Sequence, residues 1–148
     1  HFSKPGVLDA EAPVSYEAVS TASHVAFSKQ GLRDFTQIND LLIGLKSLSN
    51  RLDTWICVTD GPAGVYYLDK GQPRNVQPPQ VLAVDTLGAG DVWHGAFVLG
   101  LAEGKSELDS VHFANLAASL KCTRFGGRAG MPTRSQLSHF DFSVIESE

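Results

Sequence analysis

Apolar positions along the 148-residue chain change period several times. Short runs bounded by turn residues predict strands at 7–10, 23–28, 55–59 and 65–68. The run Trp55-Ile56-Cys57-Val58-Thr59 is nearly all apolar, as a strand covered on both faces of a parallel sheet would be. Between these runs the period lengthens. Residues 16–20 predict a short helix with Ser15 as N-cap, and Ile38, Leu41, Leu42, Leu45 and Leu48 keep the three-and-four spacing of an amphipathic helix. Thr36 or Asn39 can cap that helix. Residues 60–64 are dense in turn formers, 69–72 predict a turn, and 75–82 an extended, proline-marked segment. After Gly88 a helix carries Val92, Trp93, Ala96, Phe97, Val98, Leu99 and Leu101, apolar almost all round, and is expected to be buried centrally. Another helix is expected over 107–123, then a glycine loop with Gly126, Gly127 and Gly130, then a short last helix opening at 132–135. Strands alternating with helices predict an α/β domain with a largely parallel sheet.

Composition narrows the functional classes. Hydrophobic residues make up 43% and charged residues 19%, too apolar for a disordered chain. A chain of this length buries about two-thirds of its unfolded surface and suits one domain. With 12 Lys+Arg against 16 Asp+Glu, the net charge is −4 and the basic residues are scattered, which argues against nucleic acid as a partner. No apolar run reaches the ~20 residues of a membrane span. Cys57 and Cys122, both in apolar stretches, read as buried thiols of a reducing, cytoplasmic compartment. The chain opens at His1 without a signal-peptide pattern and reads as part of a longer protein.

Chemistry concentrates at Asp85-Thr86-Leu87-Gly88-Ala89-Gly90-Asp91. A strand is expected to enter this small-residue loop, and the loop opens directly into the apolar helix. Glycines at 88 and 90 permit a sharp turn and close approach of an anion. The N–H groups of Gly88, Ala89, Gly90 and Asp91 sit at a helix start, lack helical partners and can converge on a phosphoryl group. Asp91 at that position can cap the helix, or accept a proton from an attacking hydroxyl; spacing alone leaves both open. There is no G-x-x-x-x-G-K-[ST], no G-x-G-x-x-G, no G-x-S-x-G and no metal-site spacing of His and Cys. His94, on the buried helix, reads as a core histidine.

The stretch 85–91 resembles the D-T-x-G-A-G-D signature of the ribokinase-like, or PfkB, family of carbohydrate kinases. Three other segments fall in order around it. Val58-Thr59-Asp60-Gly61-Pro62-Ala63-Gly64 resembles the family's V-T-x-G-x-x-G turn beside the nucleotide phosphates. Phe113 to Ala118 resembles the helix lining the adenine, and Thr123-Arg124-Phe125-Gly126-Gly127 with Met131-Pro132-Thr133-Arg134 resembles its T-R-x-G-A and P-T-R ending. The resemblance implies a three-layer α/β/α sandwich with a mostly parallel sheet. Asp91 would then be the general base, Gly88, Ala89 and Gly90 the anion hole, Thr59, Gly61 and Gly64 nucleotide contacts, and Asn115 a neighbour of the adenine or ribose. It also implies ATP with Mg²⁺, and K⁺ as a monovalent cation held by the Asp85 side chain and the carbonyls of Leu87, Lys121, Arg124 and Gly126.

The chain departs from the family pattern in three places. Gly130 stands where a cation-site hydroxyl is common. Ser28-Lys29-Gln30-Gly31 replaces the N-x-x-E that contacts the Mg²⁺ water and phosphates. Family members are about twice this long, so residues 1–148 correspond to the C-terminal, ATP-binding and catalytic half. The N-terminal half with its sugar-binding motif and lid, which mediates dimers in many relatives, would be the chain's partner. The expected function is phosphoryl transfer from ATP to a sugar hydroxymethyl group, with the 148 residues inactive alone. A nucleoside kinase of the same family and a non-catalytic nucleotide-binding module are the alternatives.

Overall fold

The computed structural model describes residues 6–11 and 13–139. They form two compact units, His1–Val76 and Gln77–Glu148.

The first unit is a five-stranded sheet in the order β1 (Val7–Ala10), β2 (His24–Ser28), β3 (Trp55–Thr59), β4 (Val65–Asp69) and β5 (Gln72–Val76). The β1–β2 and β2–β3 pairs are parallel, whereas β4 runs antiparallel to both β3 and β5. Four of the five strands therefore point the same way, as the alternation of elements predicts. Val25, Phe27, Ile56 and Val58 share one face of β2 and β3. Val19 of α1 (Tyr16–Thr21), Leu32 of α2 (Lys29–Thr36) and Leu45 and Leu48 of α3 (Leu41–Ser49) join them in one core cluster. Ala26 and Cys57, on the opposite face, are also buried.

Several expectations shift. Helix α2 is absent from the sequence reading, because its run KQGLRDFT is mostly polar. Its start is nonetheless encoded: Ser28 ends β2 and its Oγ accepts from the Gly31 N–H at 2.9 Å. Helix α3 is capped by Asp40, which accepts from the Ile43 N–H at 2.8 Å, rather than by Thr36 or Asn39. Strand β5 begins at Gln72, earlier than expected, because Lys70 and Gly71 both adopt positive φ and close a two-residue hairpin. Pro73 is tolerated there because β5 lies at the edge of the sheet.

The second unit is a helical hairpin, α4 (Ala89–Ala102) and α5 (Glu107–Cys122), followed by α6 (Arg134–Ser138). Gly104, in the left-handed region, ends the α4 turn, and Ser106 caps α5 by accepting from the Asp109 N–H at 3.0 Å. Trp93 and Phe97 stack at 5.1 Å between ring centroids, and both are buried. The strand expected before Asp85 does not form; the N–H groups of Val84 and Asp85 donate instead to the Cys122 carbonyl at 2.8 and 3.2 Å. Nor is α4 buried all round: Val98 and Leu99 are exposed, because contact with α5 covers the Trp93, Ala96, Phe97 and Gly100 side of the helix. Cys122 is half-buried rather than buried, and neither cysteine is in a disulfide.

The close approach of α4 to α5 gives a stability test. A Cβ on Gly100 would lie 2.7 Å from Ser110 Oγ, 3.0 Å from its Cβ and 3.1 Å from its Cα, whereas one on Gly95 would meet nothing within 4 Å. Gly100→Ala is expected to destabilise by about 1–3 kcal/mol through overpacking. Gly95→Ala in the same helix should be neutral or stabilising by up to about 1 kcal/mol. Chemical unfolding of the two variants checks the contrast, and equal effects would contradict it.

Candidate active site

The loop before α4 is built by its own short bonds. Asp85 Oδ1 accepts from the Leu87 N–H at 2.9 Å, and the Ala89 N–H donates to the Thr86 carbonyl at 3.1 Å. Gly88, at φ +77, then turns the chain into the helix, and its carbonyl accepts the first helical bond, from Val92, at 3.0 Å. Ala89 therefore spends its N–H on the turn. The N–H groups of Gly90 and Asp91 stay in the first turn, where a helix offers them no acceptor and its dipole favours an anion.

Asp91 is exposed, and among the described residues its carboxylate makes no hydrogen bond or ion pair. It does not cap α4; Gly88 occupies the cap position and supplies no side chain. Asp91 instead lines an open cleft of about 570 Å³. The cleft runs from Leu87, Gly88 and Asp91 along α4, with Phe113 and Ala117 of α5 as part of its wall. Phe113 and Ala117 are four residues apart and share a helix face. Asn115 is buried away from that wall and accepts from the Trp93 indole N–H at 2.8 Å, so it has a packing role between the helices. Arg128 and Arg134 also line the cleft; Arg134 pairs with Glu103, and its guanidinium lies 6.0 Å from the Phe113 ring centroid.

The loop before α4 is clamped to the end of α5. Asp85 Oδ2 accepts from the Gly126 N–H at 2.8 Å and lies 3.3 Å from Lys121 Nζ. The same ammonium donates to the Asp85 carbonyl at 3.0 Å and is fully buried. The family resemblance gives a part only to the backbone carbonyl of Lys121, and that carbonyl accepts from the Arg124 N–H at 3.1 Å. A signal for the burial was present: Ser110, Ala114, Ala117 and Lys121 repeat at four, three and four along one stripe of α5, and all four are buried.

In the first unit, Thr59 ends β3 and its Oγ1 donates to the Phe27 carbonyl at 3.4 Å. Gly61 and Gly64, both at positive φ, frame the 3-10 turn Gly61–Ala63. Lys29 pairs with Asp60 at that turn at 3.0 Å. Gly31 stands where the family pattern has its glutamate, and a Cβ there would lie 2.6 Å from the Ala10 carbonyl oxygen, so no longer residue fits. A carboxylate does reach the spot from elsewhere: Glu11 Oε2 lies 3.6 Å from that Cβ position. His94 is half-buried, its Nδ1 2.8 Å from the Gly90 carbonyl. No group of three His, Cys, Asp or Glu suited to a metal occurs among the described residues. None of their helices is long and apolar enough to cross a membrane.

The family model described as "pfkB family carbohydrate kinase" matches residues 8–134. The chain is 42% identical to the ribokinase of Bacillus subtilis over 80 residues, 54% of this chain and 27% of that protein. It is 28% identical to the fructokinase of Vibrio alginolyticus over 133 residues, 86% and 43% of the two. Among solved structures, the Thermotoga maritima ribokinase superposes with a TM-score of 0.82 at 26% identity, over 93% of this chain and 49% of that one. A Vibrio cholerae fructokinase double mutant, bound to fructose, ADP and a potassium ion, superposes with a TM-score of 0.75 at 26% identity, over 84% of this chain and 42% of that one. The chain thus spans less than half the length of these relatives.

Asp85 sets an acid limit on the loop. The N–H donors of Leu87 and Gly126, and then Lys121, hold its carboxyl below its ordinary value near 3.8. A carboxylate with a lowered folded-state pKa stabilises fully above the unfolded value, and that stabilisation is lost as pH falls through the folded one. Asp85→Asn is expected to lower the melting temperature at neutral pH and to flatten its fall below about pH 4. Melting curves from neutral pH down to pH 3 would show it; parallel curves for the two proteins would refute the clamp.

Proposed function

The chain belongs to the pfkB family of carbohydrate kinases, and on that premise we propose that it forms the catalytic, ATP-binding part of an ATP-dependent sugar kinase. One observation carries the reading: Asp91, whose carboxylate has no partner among the described residues, lines the cleft from the first turn of α4, beside the N–H groups at the helix start. The helix start holds the γ-phosphoryl oxygens. Asp91 takes the proton of a sugar hydroxymethyl group as that oxygen bonds to the γ-phosphorus. The bond from the γ-phosphorus to the β–γ bridging oxygen breaks, and ADP leaves. Gly88, Gly90 and the loop they shape position the transferred group, and backbone dipoles fixed beforehand stabilise the charge that develops on it.

Phe113 and Ala117 offer the apolar wall against which a nucleotide base can rest, and the resemblance puts Asn115 of the same helix near the adenine or ribose. The same reading assigns nucleotide contacts to Thr59, Gly61 and Gly64 in the first unit. Mg²⁺ enters as the counter-ion of the ATP phosphates. The acceptor is a sugar by analogy with the named relatives, ribokinase and fructokinase.

Asp91→Asn in the intact protein is the direct test. It is expected to lower kcat by about 10²–10⁴-fold, the range of general-base catalysis, and to leave ATP affinity within a factor of about two. Retained turnover would reject Asp91 as base. Retained ATP binding with no sugar phosphorylated by the wild-type protein would favour a nucleotide-binding module instead. The 148 residues alone are expected to transfer nothing, which a phosphotransfer assay on that chain checks.

A further inference from the structure

The fructokinase relative carries a potassium ion, and the resemblance places such a cation on Asp85 and the carbonyls of Leu87, Lys121, Arg124 and Gly126. In this chain Asp85, Lys121 and Gly126 of that set already have partners of their own. Asp85 Oδ1 is taken by the Leu87 N–H, and Oδ2 by the Gly126 N–H and the Lys121 ammonium. The Lys121 carbonyl accepts from Arg124 and the Gly126 carbonyl from Gly130, at 3.1 and 2.9 Å. No side-chain hydroxyl can complete the set at position 130: a Cβ on Gly130 would lie 2.5 Å from the Gly126 oxygen.

A positive charge is already present at Asp85. Lys121 Nζ is fully buried, with the Asp85 carbonyl at 3.0 Å and its carboxylate at 3.3 Å. A buried ammonium persists only where such partners offset its desolvation. We propose that the Lys121 ammonium takes the place of the monovalent cation in this protein. It is a positioning residue: it joins the C-terminal end of α5 to the loop that shapes the anion hole, and it supplies the cation's charge from within the chain. Two consequences follow. The protein should need no K⁺, and removing the ammonium should create a need for one.

The proposal rests on the kinase reading, so its test includes readouts that need no turnover. The intact wild-type protein and Lys121→Ala are compared in potassium, ammonium and tetramethylammonium chloride at equal ionic strength. Melting temperature, ATP affinity and sugar phosphorylation are followed, with thallium(I) NMR as a direct probe of cation binding. For the wild type, all three are expected to agree across the salts, with no saturable thallium site. For Lys121→Ala, all three should fall in tetramethylammonium and recover with K⁺ or ammonium in a saturable way, as mass action requires of a bound ion. ATP affinity and turnover are expected to recover by about tenfold or more, equivalent to at least ~1.4 kcal/mol of coupling.

A wild-type protein that binds thallium saturably, or that K⁺ activates, overturns the proposal. So does a folded Lys121→Ala whose losses no cation repairs, since that is the behaviour of a purely structural lysine. If Lys121→Ala does not fold in any salt, the wild-type thallium measurement decides alone. Absence of phosphorylation in every salt would defeat the kinase reading, while melting and thallium binding would still settle the cation.

Discussion

The second unit depends on one ion contact, between the buried Lys121 ammonium and Asp85. Asp85 lies on a stretch with no strand or helix of its own, residues 77–88. Such a stretch holds a fixed shape only if other elements hold it. Lys121 does so from the end of α5, through two bonds to one residue. The Cys122 carbonyl and the Gly126 N–H hold the same residue from the adjoining backbone. Removing Asp85 would leave the buried Lys121 ammonium without its carboxylate partner, and the loop without its hold. The first turn of α4 inherits its position from this clamp, and the cleft inherits its polar end from that turn.

The apolar end of the cleft has a different origin. Gly100 and Ser110 let α4 and α5 approach so closely that even a methyl group is excluded. That closeness lets Trp93 donate to Asn115 across the pair, and it stacks Trp93 on Phe97, both buried. With those residues turned inward, Ala96 of α4 and Phe113 and Ala117 of α5 are left to line the cleft. One packing decision thus settles both which helix faces are core and which can meet a ligand.

How far the sequence reveals this depends on whether the information is local. Strand β3 and the hairpin α4–α5 are legible because their apolar periods are long and their boundaries carry turn or cap residues. Helix α2 is not, because its place comes from Ser28 capping and from Gly31 lying against the Ala10 carbonyl, a contact across 21 positions of chain. The motif Gly88-Ala89-Gly90-Asp91 marks the helix start, yet Ala89 gives its N–H to Thr86, and Asn115 turns toward Trp93. Both outcomes depend on hydrogen-bond partners, and neither composition nor spacing names a partner. Lys121 is the clearest case. Its stripe position on α5 indicates burial, but only the fold shows that Asp85 waits at the far end of its side chain.

A tethered ammonium and a diffusible ion are not equivalent solutions to the same electrostatic problem. An ion binds by mass action, so the loop it orders is only as well formed as the ion is abundant. A lysine side chain is present at a fixed stoichiometry, and its ordering and desolvation are met once, on folding. Its reach is also fixed, so it can neutralise only groups that the backbone brings to it. Here those groups are the carbonyl and the carboxylate of a single residue. The same carboxylate is already bonded by two backbone N–H groups. Charge and geometry are therefore set together, before any ligand arrives, which is the condition under which backbone dipoles at a helix start act on a phosphoryl group without first reorganising.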